Sequence, residues 1–159
     1  MVQIQYTLLT RDRARKFGHL LVSLGADLPW DYWTIENLLV DRPQKWRLSM
    51  LATVDDNPVG YLIASYREGS VHIHHNIVGQ KWRGMGIGRK LMNHLSKNAY
   101  ALGANNITFK IHRNNHGAIN LFQSLGYAFM DKQNEQSGSD QSELLWMSAQ
   151  VTDVLNKLK

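Results

Sequence analysis

Apolar and polar side chains alternate loosely over residues 3–9, which predicts a first strand. Thr10 then stands where a helix cap belongs, and Phe17, Leu20, Leu21 and Leu24 are expected on one face of a helix that Gly25 ends. Residues 29–33 (Pro-Trp-Asp-Tyr-Trp) read as an aromatic loop, followed by a short helix through Ile35, Leu38 and Leu39. Residues 47–54 and 59–67 form the two arms of a predicted hairpin. Asp55, Asp56, Asn57 and Pro58 between them supply its turn chemistry. A further strand spans 71–78 after Glu68, Gly69 and Ser70.

The second half carries the strongest helical period. Ile87, Leu91, Leu95, Ala99 and Leu102 recur at helical spacing within residues 86–102, and Gly103 follows as a terminator. Residues 107–111 are apolar and β-branched, a strand; 115–125 repeat the helical pattern up to Gly126; 127–130 are a short strand. The polar run 131–142 is a loop ahead of a last strand, 143–149. Strand, helix, strand and helix after an antiparallel meander imply a mixed sheet flanked by helices, in the α/β (α+β) class.

The chain has 159 residues, a length suited to one domain, and neither an internal repeat nor a linker divides it. Hydrophobic residues make up 43% and prolines number 3, which excludes a disordered or low-complexity protein. No window holds the ~18 uninterrupted apolar residues that span a bilayer, and the first residues lack the apolar core of a signal peptide, so the expected location is cytoplasmic. There is no cysteine. That removes disulfides, thiolate metal sites and a cysteine nucleophile, and no metal site is expected.

The net charge of +5 is unevenly spread. Residues 71–130 hold seven Lys/Arg, six of the seven histidines and no acid, whereas residues 1–70 hold eight charges of each sign. Such a block suits a strongly anionic ligand, and a solvated basic surface is the plainer alternative.

Within it lies Gln80-Lys81-Trp82-Arg83-Gly84-Met85-Gly86-Ile87-Gly88-Arg89, between a strand and the strongest helix. Alternate glycines let the backbone turn unobstructed and bring free N–H groups at the helix start to an anion. A merely flexible turn is the alternative, disfavoured because glycine inside a first helical turn costs ~1 kcal/mol relative to alanine. A dinucleotide fingerprint from Gly84 would need glycine where Arg89 stands and an acid about twenty residues later, and a Walker loop would need Gly-Lys-Ser/Thr. Neither is present. Arg83-x-x-Gly86-x-Gly88 remains.

That motif resembles the acetyl-CoA pyrophosphate loop of the GNAT superfamily of N-acetyltransferases, and the order of elements fits that family from end to end. Residues 115–127, with Asn115, Ala118, Leu121, Phe122, Gly126 and Tyr127, are similar to the family's N-x-x-A-x-x-L-Y-x-x-x-G-F stretch. The resemblance implies a mostly antiparallel sheet with helices on both faces. It also implies that a pantetheine arm pairs with Asn76, Ile77 and Val78, that the N–H groups of Arg83, Gly84, Met85, Gly86, Ile87, Gly88 and Arg89 hold the pyrophosphate, and that Asn115 contacts the cosubstrate. Coenzyme A, with about four negative charges, would account for the acid-free block.

Acetyl transfer to an amine needs the neutral amine. For an alkylamine of pKa ~10.4, deprotonation at pH 7 costs roughly 4–5 kcal/mol. No carboxylate lies between 71 and 130, and Lys110 occupies one position where relatives place a glutamate. Histidine is the available base. Simple alternation in residues 71–78 would put His72, His74 and Asn76 on one face and Ile73, His75 and Ile77 on the other. The His72/His74 pair looks like the paired histidines of arylalkylamine N-acetyltransferases, which implies a proton relay with His74 first and His72 second. A structural role for both is equally open. His112 and His116 are expected along the cofactor groove. Phe122 departs from the family tyrosine that protonates the leaving thiolate. Tyr127, Ser124 or water could take its place, or no acid is used, since a thiol of pKa ~8.5 leaves as an anion for only ~2 kcal/mol at pH 7. The resemblance gives polarisation of the carbonyl to a backbone N–H near Val78.

Trp30, Tyr32 and Trp33 either shape the acceptor pocket or anchor the core. The expected activity is direct transfer from acetyl-CoA to a primary amine on a small molecule or peptide, in a ternary complex. A catalytically silent acyl-CoA sensor of the same fold and a basic nucleic-acid-binding module are the alternatives, the second disfavoured because few aromatics interleave with the positive charge. Expected partners are the coenzyme A thioester and the amine, with no membrane. A homodimer is left open.

Overall fold

The computed structural model describes residues 2–28, 33–130 and 143–158. Trp30, Tyr32 and the polar run 131–142 lie outside them. Seven strands form one sheet: β1 (Gln5–Leu8), β2 (Met50–Val54), β3 (Asn57–Arg67), β4 (Ser70–Val78), β5 (Asn106–His112), β6 (Ala128–Phe129) and β7 (Leu144–Gln150). Their order is β1-β2-β3-β4-β5-β7-β6, antiparallel except where β4 and β5 run parallel. The helices are α1 (Arg11–Ser23), α2 (Ile35–Leu39), α3 (Lys45–Leu48), α4 (Ile87–Ala101), α5 (His116–Ser124) and α6 (Val151–Lys157).

Two apolar layers separate the faces. Leu91, Leu95 and Ala99 of α4, Ile119 and Phe122 of α5, and Val151 and Val154 of α6 pack with Val71, Ile73 and Ile107 on one side. Ala14 and Leu21 of α1 and Leu38 of α2 pack with Tyr61, Ile63 and Ile77 on the other. Helices thus flank a mostly antiparallel sheet on both faces, as expected. Thr10 caps α1 by accepting from the Arg13 N–H at 3.2 Å, and Asn115 caps α5 through Ala118.

Several local expectations are corrected. Leu20 is 51% exposed, because Ala14, Gly18 and Leu21 make the inward stripe of α1. Arg47 belongs to α3 and not to a strand. The hairpin loop is only Asp55-Asp56, both with positive φ (50° and 65°), so Asn57 and Pro58 already lie in β3, Pro58 at a bulge. Residues 151–157 form a further helix, α6, beyond the predicted last strand, and Val151, Val154, Leu155 and Leu158 carry its helical spacing.

Candidate functional site

Two features of β4 build the site. The first is a bulge: Ile63 pairs with His75 and Ala64 with Ile73, so His74 is an extra residue opposite β3. The insertion reverses the side-chain alternation beyond it. Ile73 and Asn76 therefore face the α4/α5 layer, with their partners Ala64 and Leu62, whereas His75 and Ile77 join His72 on the α1/α2 side, where His75 stacks on Trp33 at 4.6 Å. This corrects the expected grouping of His72 and His74 with Asn76. Trp33, one of the loop aromatics, packs against the core.

The second is a split. The parallel pairing of β4 with β5 stops at Ile73↔Phe109, while both strands continue to Val78 and His112. Among the described residues, 74–78 thus keep one main-chain edge without a partner strand, the condition for an extended ligand to pair there. The gap opens into a cleft of about 620 Å³, its mouth included, lined by His74, Asn76, Lys110, His112, Asn115 and Phe122 among others, with no acid among its described lining residues. The Asn76 Oδ1 is buried and accepts no hydrogen bond among the described residues. A buried acceptor left unmet costs ~1–3 kcal/mol, so a ligand donor there would be favoured. His116, at the start of α5, is exposed and does not line the cleft.

At the C-terminal end of β4 the chain passes through a 3-10 turn (Gln80–Trp82) into the glycine loop. Gly84 and Gly86 have φ of 79° and 82°, a region strained for side-chain-bearing residues, and Gly86 caps α4 with no side-chain hydrogen bond. Among the described residues, none of the N–H groups of Gly84, Met85, Gly86, Ile87, Gly88 or Arg89 is hydrogen-bonded to the protein. A Cβ added at Gly84 or Gly86 would meet nothing within 4 Å, so the surface before these donors is open. A helix start with free donors and a favourable dipole suits a diphosphate. The Arg83 side chain is committed elsewhere: its guanidinium holds Asp27 at 2.6 and 2.9 Å, and its Nε donates to the Val78 carbonyl at 2.9 Å. The guanidinium keeps the Asp27 carboxyl below the usual carboxylate range. Arg89 Nη2 donates to the Lys157 carbonyl at the end of α6.

His72 and His74 lie together, rings 4.9 Å apart and edge-on. His74 Nε2 shares a hydrogen bond of 2.7 Å with Ser65 Oγ, and His72 Nδ1 one of 3.0 Å with Thr108 Oγ1. Burial lowers the pKa of both; for His74, with added repulsion from His72, Arg42 and Lys45, it falls to about 3. Both imidazoles are neutral at pH 7. On the α1/α2 side they border a second cavity of about 1190 Å³, open space included. His74 is the one described residue that lines both cavities.

The expected replacements for a tyrosine at 122 are not at the cleft. Tyr127 packs behind Phe122 against Phe109, its hydroxyl buried without a hydrogen bond among the described residues and its pKa pushed up by burial. Ser124 is exposed and donates to Leu121. Lys110 places its ammonium over Trp146, 4.9 Å from the ring centre. Lys45 carried no signal in the sequence; it is 1% exposed and donates to the carbonyls of Leu38 (2.7 Å), Val40 (2.6 Å) and Asn37 (3.3 Å), which closes the C-terminal end of α2. Burial lowers its pKa to about 8.

The sheet thus splits between two parallel strands, above an open, glycine-led helix start. Residues 12–127 match the Acetyltransferase (GNAT) family, and the chain belongs to it; it is an acetyltransferase-class enzyme. No curated protein sequence matches the chain. Among solved structures it is similar to the ribosomal-protein-S18-alanine N-acetyltransferase from Escherichia coli (13% identity, 94% of each chain, TM-score 0.74). It is also similar to Ard1 from Thermoplasma volcanium (19% identity, 92% of this chain and 97% of that one, TM-score 0.74). A third likeness is to the PaiA N-acetyltransferase from Thermoplasma acidophilum in complex with coenzyme A (14%, 93% and 99%, TM-score 0.70). At these identities the likeness shows the fold. No helix among the described residues is long and apolar enough to cross a membrane.

Proposed function

We propose that the protein transfers the acetyl group of acetyl-CoA directly to a primary amine while both are bound. The observation that carries this reading is His74, which borders the acid-free cleft on one side and the second cavity on the other. Two cavities meeting at one residue allow a thioester in the first and an amine in the second to react without a covalent enzyme intermediate, and the chain has no cysteine to form one.

The free N–H groups of Gly84, Met85, Gly86, Ile87, Gly88 and Arg89, with that of Arg83, hold the diphosphate. The open edge of Asn76, Ile77 and Val78 pairs with the pantetheine arm, Asn115 borders it, and an N–H near Val78 polarises the carbonyl. The neutral amine nitrogen attacks the carbonyl carbon, the new C–N bond forms as the C–S bond breaks, and the sulfur leaves as thiolate. The nitrogen's surplus proton passes to His74 and His72 and on to solvent, and the thiolate takes one from solvent. An imidazole with pKa near 3 is a weak resting base, so His74 conducts the proton and does not store it. The positive surroundings do the other part, since cations close to an ammonium lower its pKa. Phe122 favours a second reading, a silent acyl-CoA sensor, although an unassisted thiolate costs only ~2 kcal/mol at pH 7.

Calorimetry with coenzyme A and release of free thiol from acetyl-CoA across an amine panel, read with a thiol-reactive dye, test the proposal. Micromolar binding with amine-dependent thiol release is expected. Failure to bind coenzyme A ends both readings, and binding without release for any amine leaves the sensor.

A further inference from the structure

The second cavity has a charge character that acetyl transfer alone does not require. Arg42, in the loop after α2, and Arg67, the last residue of β3, line it, and Glu68 at the hairpin turn is the one acid among its described lining residues. Among the described residues neither guanidinium makes an ion pair. The hydroxyls of Ser65, Ser70 and Thr108 complete polar walls.

Arg42 is also presented from a fixed backbone. Lys45 Nζ holds the carbonyls of Leu38 and Val40, and the Lys45 N–H donates to the Arg42 carbonyl at 3.1 Å. The field of Arg42 reaches both histidines. A purely cationic amine entering between two guanidiniums meets repulsion that, among the described lining residues, only the Glu68 carboxylate offsets. A carboxylate on the same molecule reverses that balance, since a guanidinium fork binds a carboxylate through charge-assisted, often bidentate hydrogen bonds.

We infer that the acceptor is a small amine that carries its own carboxylate, an amino-acid-like zwitterion whose carboxylate is held by Arg42 and Arg67 while its amine reaches His74. This rests on the transferase reading above and adds the substrate class. The arginines then serve twice: they anchor the acid group, and what remains of their field favours the uncharged amine that attacks. The cationic rim disfavours polyamines and lysine side chains.

The test is calorimetry in the presence of coenzyme A with phenylalanine, methionine and glutamate, each beside its α-carboxamide. The acids should bind at least tenfold more tightly than the amides. Arg42→Gln should erase that preference and Arg67→Gln reduce it, with affinity for coenzyme A unchanged, which also shows that the variants fold. Equal or weaker binding of the acids, no binding of any of the six, or a preference that survives the double variant overturns the inference. If coenzyme A binds and acid and amide are treated alike, the transferase reading stands and this one falls. An acid preference without coenzyme A binding does the reverse.

Discussion

Arg83 and Asp27, 56 residues apart in the chain, are joined by two hydrogen bonds of 2.6 and 2.9 Å. The pair ties the glycine loop to the segment that follows α1, and the Arg83 Nε contact ties it to the end of β4. Its partners are about one-third exposed, so it adds little to stability. Its weight lies in holding the loop.

Asp27→Asn should therefore lower the melting temperature slightly yet weaken coenzyme A binding three- to tenfold, with kcat within twofold of the parent. Titration calorimetry beside steady-state kinetics reads this. Unchanged affinity would show that the loop holds its shape without the pair.

At Gly86 the φ of 82° makes any side chain strained, by ~1–2 kcal/mol, although a Cβ there meets no protein atom. Gly86→Ala should cost about that much in urea unfolding, while affinity for coenzyme A falls tenfold or more because the methyl group sits before the donors. Equal losses in stability and binding would mean that strain alone is at work.

The pKa of His74 near 3, against an ordinary 6.5, sets a direction for pH. Between these values the unfolded chain takes up a proton that the folded one refuses, so stability present above pH 6.5 is lost as pH falls toward 3. Melting curves should drop from pH 7 to 4, and His74→Asn should flatten that drop. In turnover, kcat/KM should rise with pH until the acceptor amine is deprotonated and show no inflection between pH 5 and 7. An inflection there that His74→Asn removes would show that the histidine titrates normally.

Lys45→Met keeps the apolar stem and removes the ammonium that three carbonyls accept from. A loss of about 2–4 kcal/mol in urea unfolding is expected from the exposed helix end and the unmet acceptors. Because the same clamp fixes the loop of Arg42, affinity for an amine acceptor should fall further than affinity for coenzyme A. A stability change below 1 kcal/mol would refute the clamp.

Much of this protein is legible along the chain. The helical period of α4, the glycines before it, the run from Asn115 to Tyr127 and the absence of acid over 71–130 depend only on near neighbours and on counts, and with the family resemblance they point to the fold. Local spacing failed at His74, where strict alternation predicts the wrong companions. A bulge is a mismatch between two strands, and neither strand alone records it.

The amino-acid order by itself determined most element types and the acid-free, basic character of the middle block, because propensity, periodicity and charge are properties of short segments. Only the tertiary structure decided that Asp27 would occupy the Arg83 side chain, that Lys45 would be buried under three carbonyls, and that Arg42 and Arg67 would share a cavity with His72 and His74. Those relationships join residues far apart in the chain, and they come into being when the sheet splits after Ile73 and Phe109 and the helices close over its two faces.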